Sequence, residues 1–363
     1  MLEVDHITLR KLIKKCYQTK RSLYIWGTFG IGKSESVRQA SQEIAHEKGL
    51  EYSEDIIKDI NNEKKFILID IRLSQYDPSD IKGLPFLKDN KTVWALPSLL
   101  PTCGHGIIFL DELNLAPPSV QSSAYSLILD RRVGEYVVPD GFSIICAGNE
   151  SSESVSVFEL SNPLKNRFVH CKLKVPSVKD WVNWALENGV DGRIITFLEW
   201  SQKNLYRIDE NDMTLATPRS WKFCSDLIKE EQDIDTIFYL SSTAVGEGIA
   251  TEFVSFLKLS NVIDIGELME NPSLIRDVDD ISTLYSIIGT LTEIYRSLKD
   301  KTNMLGVIFK IVENMPTEFG YTLLRFVRKI DDDIFLDIIK KDPTGRVLLA
   351  KYSKYIINEG EML

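Results

Sequence analysis

One glycine-rich motif between an apolar run and a helical pattern constrains this chain more than any other feature. The motif fits G-x-x-x-x-G-K-[ST] and comprises Gly27, Thr28, Phe29, Gly30, Ile31, Gly32, Lys33 and Ser34. In such a loop backbone N–H groups wrap nucleotide phosphates, and the lysine reaches the β- and γ-phosphate oxygens. The strand-like run Ser22–Trp26 precedes it and the helical pattern Ser34–Lys48 follows, so a helix dipole favours the anion. A plain glycine-rich turn is the weaker alternative.

A pair of carboxylates follows the apolar run Ile107–Leu110, namely Asp111 and Glu112. Four apolar residues predict a strand buried on both faces, and open α/β sheets bind ligands at the carboxyl ends of such strands. We expect Ser34 to bind Mg²⁺, Asp111 to hold the metal through water, and Glu112 to polarise the attacking water. Alternatively, one carboxylate caps a helix over Asn114–Asp130.

The first half alternates apolar runs with helical patterns, which predicts βαβ units and a parallel sheet with helices on both faces. We expect strands at Ser22–Trp26, Phe66–Ile71, Gly106–Leu110 and Phe142–Ala147, with a further candidate at Val169–Val175. The alternating segment Arg132–Phe142 predicts an inserted β-hairpin. The charged segment Glu51–Lys65 is predicted to be a surface excursion.

Beyond Pro176 apolar residues recur at helical spacing, without strand-like runs. The acidic segment Asn261–Asp280, broken by Asn271-Pro272, predicts a second boundary. We therefore expect an α/β nucleotide-binding domain over residues 1–175, an all-α lid over 176–262 and a helical C-terminal extension over 263–363.

Charge and composition bear on partners and compartment. A net charge of −10 argues against nucleic acid as a partner, because non-specific binding to phosphate backbones is mainly electrostatic. The basic stretch between Arg10 and Arg21 frames apolar residues at helical spacing, which predicts the solvated face of an amphipathic helix. The 5 cysteines form no C-x-x-C pair, and no apolar run is long enough to span a bilayer. These features indicate a reducing, cytoplasmic location.

From Gly27 to Arg219 the ordered motifs resemble AAA+ ATPases of the MoxR type and the related dynein and midasin group. FLDELNLAPPSVQSSAYSLILDRRVGEY resembles their second acidic motif and a helix with an inserted hairpin. SIICAGNE resembles their fourth strand with a polar sensor, LSNPLKNRF the segment with the intersubunit arginine, and ATPRSW the second sensor. The resemblance implies that Asn149 orients the water against Glu112 and that Arg219 contacts the γ-phosphate from the lid.

The same resemblance implies that Arg167 reaches the γ-phosphate in a neighbouring subunit. A surface ion pair is the alternative reading of Arg167, while Arg131 and Arg132 are lower-ranked candidates for the intersubunit role. Asn166 stands where MoxR proteins usually carry an acidic residue, which brings the chain closer to the dynein and midasin side, and Phe29 replaces the usual proline of the phosphate loop.

The function implied is ATP hydrolysis in a ring homo-oligomer, a hexamer by resemblance, that remodels a protein client or serves a partner with a von Willebrand A domain. A nucleic-acid motor and a slow, nucleotide-gated scaffold are the alternatives. The loop Ser74–Gly83 resembles a loop of the same family, and the sequence assigns it no chemistry.

Overall fold

The computed structural model describes residues 1–149, 158, 160–208 and 213–358, and it separates the chain into two units. The first unit is Met1–Val175 and the second is Pro176–Leu363.

Strands of the first unit form one seven-stranded sheet and two hairpins. They are β1 (Glu3–Val4), β2 (Leu23–Trp26), β3 (Glu51–Ser53), β4 (Lys65–Arg72), β5 (Leu84–Lys88), β6 (Lys91–Ala95), β7 (His105–Asp111), β8 (Arg132–Val133), β9 (Tyr136–Val137), β10 (Phe142–Gly148) and β11 (Val169–Leu173). The sheet is parallel, in the order β1-β11-β2-β10-β7-β4-β3. Its carboxyl ends therefore share one edge, which brings together side chains that are distant in sequence.

Helices flank this sheet, as the βαβ pattern predicts. They are α1 (His6–Thr19), α2 (Lys33–Glu47), α3 (Ile56–Asp59), α4 (Pro78–Lys82), α5 (Pro118–Asp130) and α6 (Asn162–Lys165). The central strands are buried on both faces, because Ile107, Ile108, Phe109 and Leu110 are all fully buried. The parallel α/β fold is confirmed.

Two predictions for this unit need correction. Glu51–Lys65 is not only a surface excursion, because β3 pairs in parallel with β4 and extends the sheet by one edge strand. The basic face of α1 is not merely solvated, because it packs against α2: Arg10 pairs with Glu43, and Lys14 pairs with Glu43 and Glu47. The edge strand was missed because its residues are polar. The packing of α1 was missed because the carboxylates that pair with its basic residues lie on another helix, α2.

The predicted hairpin in Arg132–Phe142 is present as β8 and β9. The sequence did not predict the second hairpin, β5 and β6, which turns at Asp89 and Asn90 with φ values of 52° and 57°. Asp and Asn tolerate this left-handed conformation better than most residues, so Asp89-Asn90 was the available signal.

The second unit is all helical apart from an isolated bridge between Arg207 and Ala216 in its described part. The helices are α7 (Val178–Glu187), α8 (Gly192–Trp200), α9 (Pro218–Leu227), α10 (Ile234–Val245), α11 (Glu247–Lys258), α12 (Ile265–Glu270), α13 (Ile281–Ser297), α14 (Thr302–Asn314), α15 (Thr317–Ile330), α16 (Asp332–Lys341) and α17 (Pro343–Asn358). In this unit α13 packs along α8, and one apolar core runs from Trp181 to Tyr352. The division into a lid over 176–262 and an extension over 263–363 stays a prediction.

No helix among the described residues is both long and apolar enough to cross a membrane.

Candidate nucleotide site

The phosphate-binding motif lies where the sequence places it, between β2 and α2. Gly30 and Gly32 have φ values of +71° and +95°, a region that side chains with a Cβ rarely adopt. Gly32 is the residue before α2, so the loop turns directly into the first turn of that helix. The free N–H groups of this turn and the helix dipole make the loop suited to an anion.

Lys33 is held inside the loop rather than extended into solvent. It is only 9% exposed, and its ammonium donates hydrogen bonds to the carbonyls of Gly27 at 2.7 Å and Thr28 at 2.8 Å. A third bond reaches Asn149 Oδ1 at 2.9 Å. To bind a phosphate oxygen, Lys33 must exchange at least one of these acceptors, because an ammonium has three N–H donors.

The predicted metal ligands contact each other. Ser34 Oγ donates a hydrogen bond of 3.0 Å to Asp111 Oδ2, at the carboxyl end of β7. A hydroxyl and a carboxylate are the oxygen ligands that Mg²⁺ prefers, and the remaining positions around Mg²⁺ usually go to water and substrate phosphates. These two side chains therefore fit a Mg²⁺ ion that accompanies a nucleotide.

Glu112 follows Asp111 in a constrained conformation, with φ at +57°. Such a backbone costs on the order of 1–3 kcal/mol for a residue with a side chain and is concentrated at functional sites. Its carboxylate accepts a hydrogen bond from Ser74 Oγ at 2.5 Å. The loop Ser74–Gly83, which the sequence left without chemistry, thus begins with the partner of Glu112.

Asn149 is fixed by a residue that sequence reasoning did not assign. Asn114 Nδ2 donates to the Asn149 carbonyl at 2.7 Å, and the Asn149 N–H donates to Asn114 Oδ1 at 3.2 Å. Gly148 has to be small, since a Cβ there would lie 2.0 Å from the Tyr24 hydroxyl and 2.3 Å from Asn114 Oδ1. The two hydrogen bonds with Asn114 thus hold Asn149 so that its side chain accepts from Lys33. Glu112 does not take part in this group, because its carboxylate accepts from Ser74.

A further carboxylate, Asp70 on β4, interacts electrostatically with Asp111 at the carboxyl edge of the sheet. Desolvation of the carboxyl, followed by the charge of Asp111, raises the pKa of Asp70 to about 6. A cation held by Asp111 would oppose that rise. Asp70 was not predicted, although its place near the end of an apolar strand was a usable signal.

The candidate arginines differ in their surroundings. Arg167 is exposed just beyond α6, and its guanidinium makes no ion pair or hydrogen bond with another residue that the structure describes. Arg131 instead donates to the carbonyls of Pro139 and Phe142, at 3.0 and 2.9 Å, and closes the base of the β8–β9 hairpin. Burial lowers the pKa of Arg131, in keeping with this internal position.

Two other predicted residues are exposed. Arg132 lies on β8, and Arg219 occupies the first turn of α9, in the second unit. The helix of Arg219 begins with a capping box between Thr217 and Ser220, and the buried Trp221 anchors it. The predicted role of Arg219 at the γ-phosphate stays a prediction. Glu150, within the predicted sensor segment, lies outside the described residues.

Asn114 and Ser74 both stand directly beyond recognised motifs. Asn114 is two residues after Glu112, and Ser74 follows the second predicted strand. Polar side chains close to the carboxyl ends of parallel strands were the signal for both, because those ends converge on one edge.

Residues 22–168 match the family model described as the AAA domain of the dynein-related subfamily. No curated protein matches the chain. The matched range contains the phosphate loop, the acidic pair, Asn149 and Arg167, and it lies within the first unit.

Solved structures resemble the chain only distantly. A protein of Cytophaga hutchinsonii assigned as an ATPase is 12% identical over 88% of each chain, with a TM-score of 0.35. NtrX of Brucella abortus with ADP is 13% identical over 96% of this chain and 67% of its own, with a TM-score of 0.33. ORC2 of Aeropyrum pernix is 11% identical over 91% and 94%, with a TM-score of 0.34.

Proposed function

Since residues 22–168 form the AAA domain of an ATP-hydrolysing P-loop ATPase, we propose that this protein works as a ring homo-oligomer that remodels a protein client. One observation carries the catalytic part of the proposal: Lys33, Ser34, Asp111 and Asn149 meet at the carboxyl edge of the sheet. Three separate stretches of sequence contribute to this one cluster.

Each residue of the cluster has a proposed task. The loop Gly27–Ser34 wraps the ATP phosphates, and Lys33 neutralises the β- and γ-oxygens. Ser34 and Asp111 would hold Mg²⁺, which supplies charge neutralisation between the phosphates when bound. Glu112 orients and polarises the attacking water after leaving Ser74, while Asn149 helps to place that water.

The oligomeric part of the proposal rests on Arg167. An exposed arginine without a described partner is available to a neighbouring subunit, where it would stabilise charge developing on the γ-phosphate. Arg131 is a poor candidate for that task, because releasing it would cost the hairpin two hydrogen bonds. We propose that Arg219, on α9, contacts the γ-phosphate of the bound nucleotide.

A protein client is favoured over nucleic acid by charge. The chain has a net charge of −10, and the basic face of α1 is partly neutralised by carboxylates of α2. A MoxR-type function and a von Willebrand A domain partner are the finer form of the proposal, and a hexamer is the expected ring.

The test is to purify tagged Glu112→Gln protein in ATP and to identify what stays bound. Glu63→Gln, at an exposed carboxylate before β4, is the matched control. A protein retained by Glu112→Gln in ATP, and released in ADP, supports the proposal. Retention of nucleic acid would replace it with a nucleic-acid motor. Ring assembly without any bound macromolecule would favour the nucleotide-gated scaffold.

A further inference from the structure

His170, on β11, lies between the phosphate loop and the segment of Arg167. One ring nitrogen, Nδ1, is 3.1 Å from Trp26 Nε1, and Trp26 directly precedes the phosphate loop. The other, Nε2, is 2.6 Å from the carbonyl of Lys165, the last residue of α6. The imidazole thus spans from β2 to the turn that presents Arg167.

The chemistry of the partners fixes the proton on His170. An indole N–H is only a donor and a backbone carbonyl is only an acceptor. Nδ1 must therefore accept from Trp26, and Nε2 must carry the proton that is donated to Lys165. Only the neutral Nε2–H form of the ring satisfies both bonds, since a protonated ring has no acceptor left.

Aromatic packing reinforces these bonds. Phe168 packs edge-on against Tyr24 and His170, with ring centroids 5.2 and 5.8 Å away. Tyr24 and Trp26 lie 4.4 Å apart, and Trp26 stacks with His170 at 6.4 Å. We call Tyr24, Trp26, Phe168 and His170 the aromatic bridge. It holds the residue after Arg167 against the strand that leads into the phosphate loop.

We propose that His170 is a positioning residue, which sets the direction of Arg167 by tying its segment to Trp26 on the strand of the phosphate loop. The inference rests on the proposed intersubunit role of Arg167.

His170→Phe tests the proposal, because it keeps an aromatic ring and removes both hydrogen bonds. We expect kcat for ATP hydrolysis to fall about tenfold or more, since small misplacement of a catalytic group can cost up to about a hundredfold. The KM for ATP and its binding affinity should change less than about twofold, as the subunit's own phosphate loop is intact. His170→Gln, which keeps a donor and an acceptor, should recover most of the rate. His46→Phe, on the exposed last turn of α2, is the matched control.

A double-mutant comparison separates this inference from the function on which it rests. If His170 acts through Arg167, adding His170→Phe to Arg167→Ala should lower kcat no further. Mixing His170→Phe subunits with Lys33→Ala subunits, which keep the bridge and the arginine, should restore part of the activity. Full activity of Arg167→Ala would overturn the intersubunit role of Arg167, on which this inference rests.

Three results would overturn the role of His170 while leaving that function standing. One is a His170→Phe protein that assembles and hydrolyses ATP at the wild-type rate. Another is a loss of ATP affinity with kcat unchanged. The third is an additive loss in the double variant. If His170→Phe fails to fold, Trp26→Phe removes only the Nδ1 bond and should lower kcat by a smaller factor, and an unchanged kcat there rejects the inference.

Discussion

The two units of this chain put polar side chains to different uses. In the first unit, Lys33, Ser34, Asp111 and Asn149 bond to one another at one edge of the sheet, and the apolar core lies beneath them. In the helical unit, the main buried ion pair joins Asp191 to Arg193, and Arg193 also bonds to backbone carbonyls of neighbouring segments. The polar cluster of the first unit can exchange its hydrogen-bond partners for those of a ligand. The Asp191–Arg193 pair instead holds neighbouring helical segments together.

We therefore expect substitutions of polar residues in the two units to affect different properties of the protein. Single substitutions in the polar cluster of the first unit should change the rate of hydrolysis and leave folding nearly intact. Substitutions inside the helical unit should change the free energy of unfolding.

Lys33→Ala and Glu112→Gln should have the largest effects and should differ in kind. Lys33→Ala removes a phosphate contact, so ATP binding is expected to be abolished along with hydrolysis. Glu112→Gln removes only the partner of the water, so ATP should still bind while hydrolysis is lost. Nucleotide affinity and turnover measured side by side check this. Equal loss of ATP affinity in both variants would contradict the assignment of Glu112.

Arg167→Ala should lower hydrolysis by roughly 10³–10⁵-fold in the assembled protein, the range for arginines donated in related phosphoryl transfer. ATP affinity should stay the same, and mixing with Lys33→Ala subunits should restore part of the rate. Arg131→Ala is the informative comparison: it breaks the bonds to Pro139 and Phe142, so it should lower stability more than turnover. If the mixture stays inactive although mixed oligomers form, Arg132 becomes the next candidate.

The sequence predicted the parallel sheet and its polar edge because both depend on local patterns. Apolar runs marked β2, β4, β7 and β10, and the motifs followed their carboxyl ends. Edge strand β3 was missed, because three residues, Glu51 to Ser53, carry no apolar pattern and owe their conformation to pairing with β4. Propensity is a weak guide where tertiary pairing decides the structure.

The sequence indicated which residues form the candidate site, but it indicated few of the hydrogen bonds between them. Ser34 and Asp111 were paired from their motifs, but the bonds from Asn114 to Asn149 and from Ser74 to Glu112 were not. Those bonds depend on how neighbouring strands align, which one sequence does not specify. In the helical unit, amphipathic patterns indicated the helices, but not that α13 shares the core of α8.

Phe197→Ala should destabilise the helical unit by about 3–5 kcal/mol, the usual cost of removing a buried aromatic ring. Phe197 is fully buried on α8, with Trp221, Phe253 and Phe256 rings 5.2–5.6 Å away. Denaturant unfolding followed by tryptophan fluorescence suits this test, because four of the 6 tryptophans (Trp181, Trp184, Trp200 and Trp221) lie in this unit. Phe223→Ala, at an exposed ring on α9, is the control. A similar loss from both would contradict the central place of Phe197.

The smallest effect concerns pH and Glu199, on α8. Burial raises the pKa of Glu199 to about 7 from an ordinary value of 4.5, although Arg325, 3.7 Å away, opposes the rise. The folded state therefore holds this proton more tightly than the unfolded state. The resulting stability is fully present below about pH 4.5 and is lost as pH rises through about 7. Between pH 5 and 8 the free energy of unfolding should fall by roughly 1–3 kcal/mol on this account.

Glu199→Gln should flatten that part of the pH dependence, because a neutral amide does not titrate and keeps nearly the same shape. Glu313→Gln, at an exposed carboxylate on α14, should leave the slope unchanged. Unfolding followed by tryptophan fluorescence between pH 5 and 8 compares the three proteins. A Glu199→Gln protein with the wild-type slope would show that Glu199 is ionised in the folded state and that Arg325 outweighs burial. Glu199 would then resemble the paired Asp191, and the helical unit would be held by ion pairs at both places.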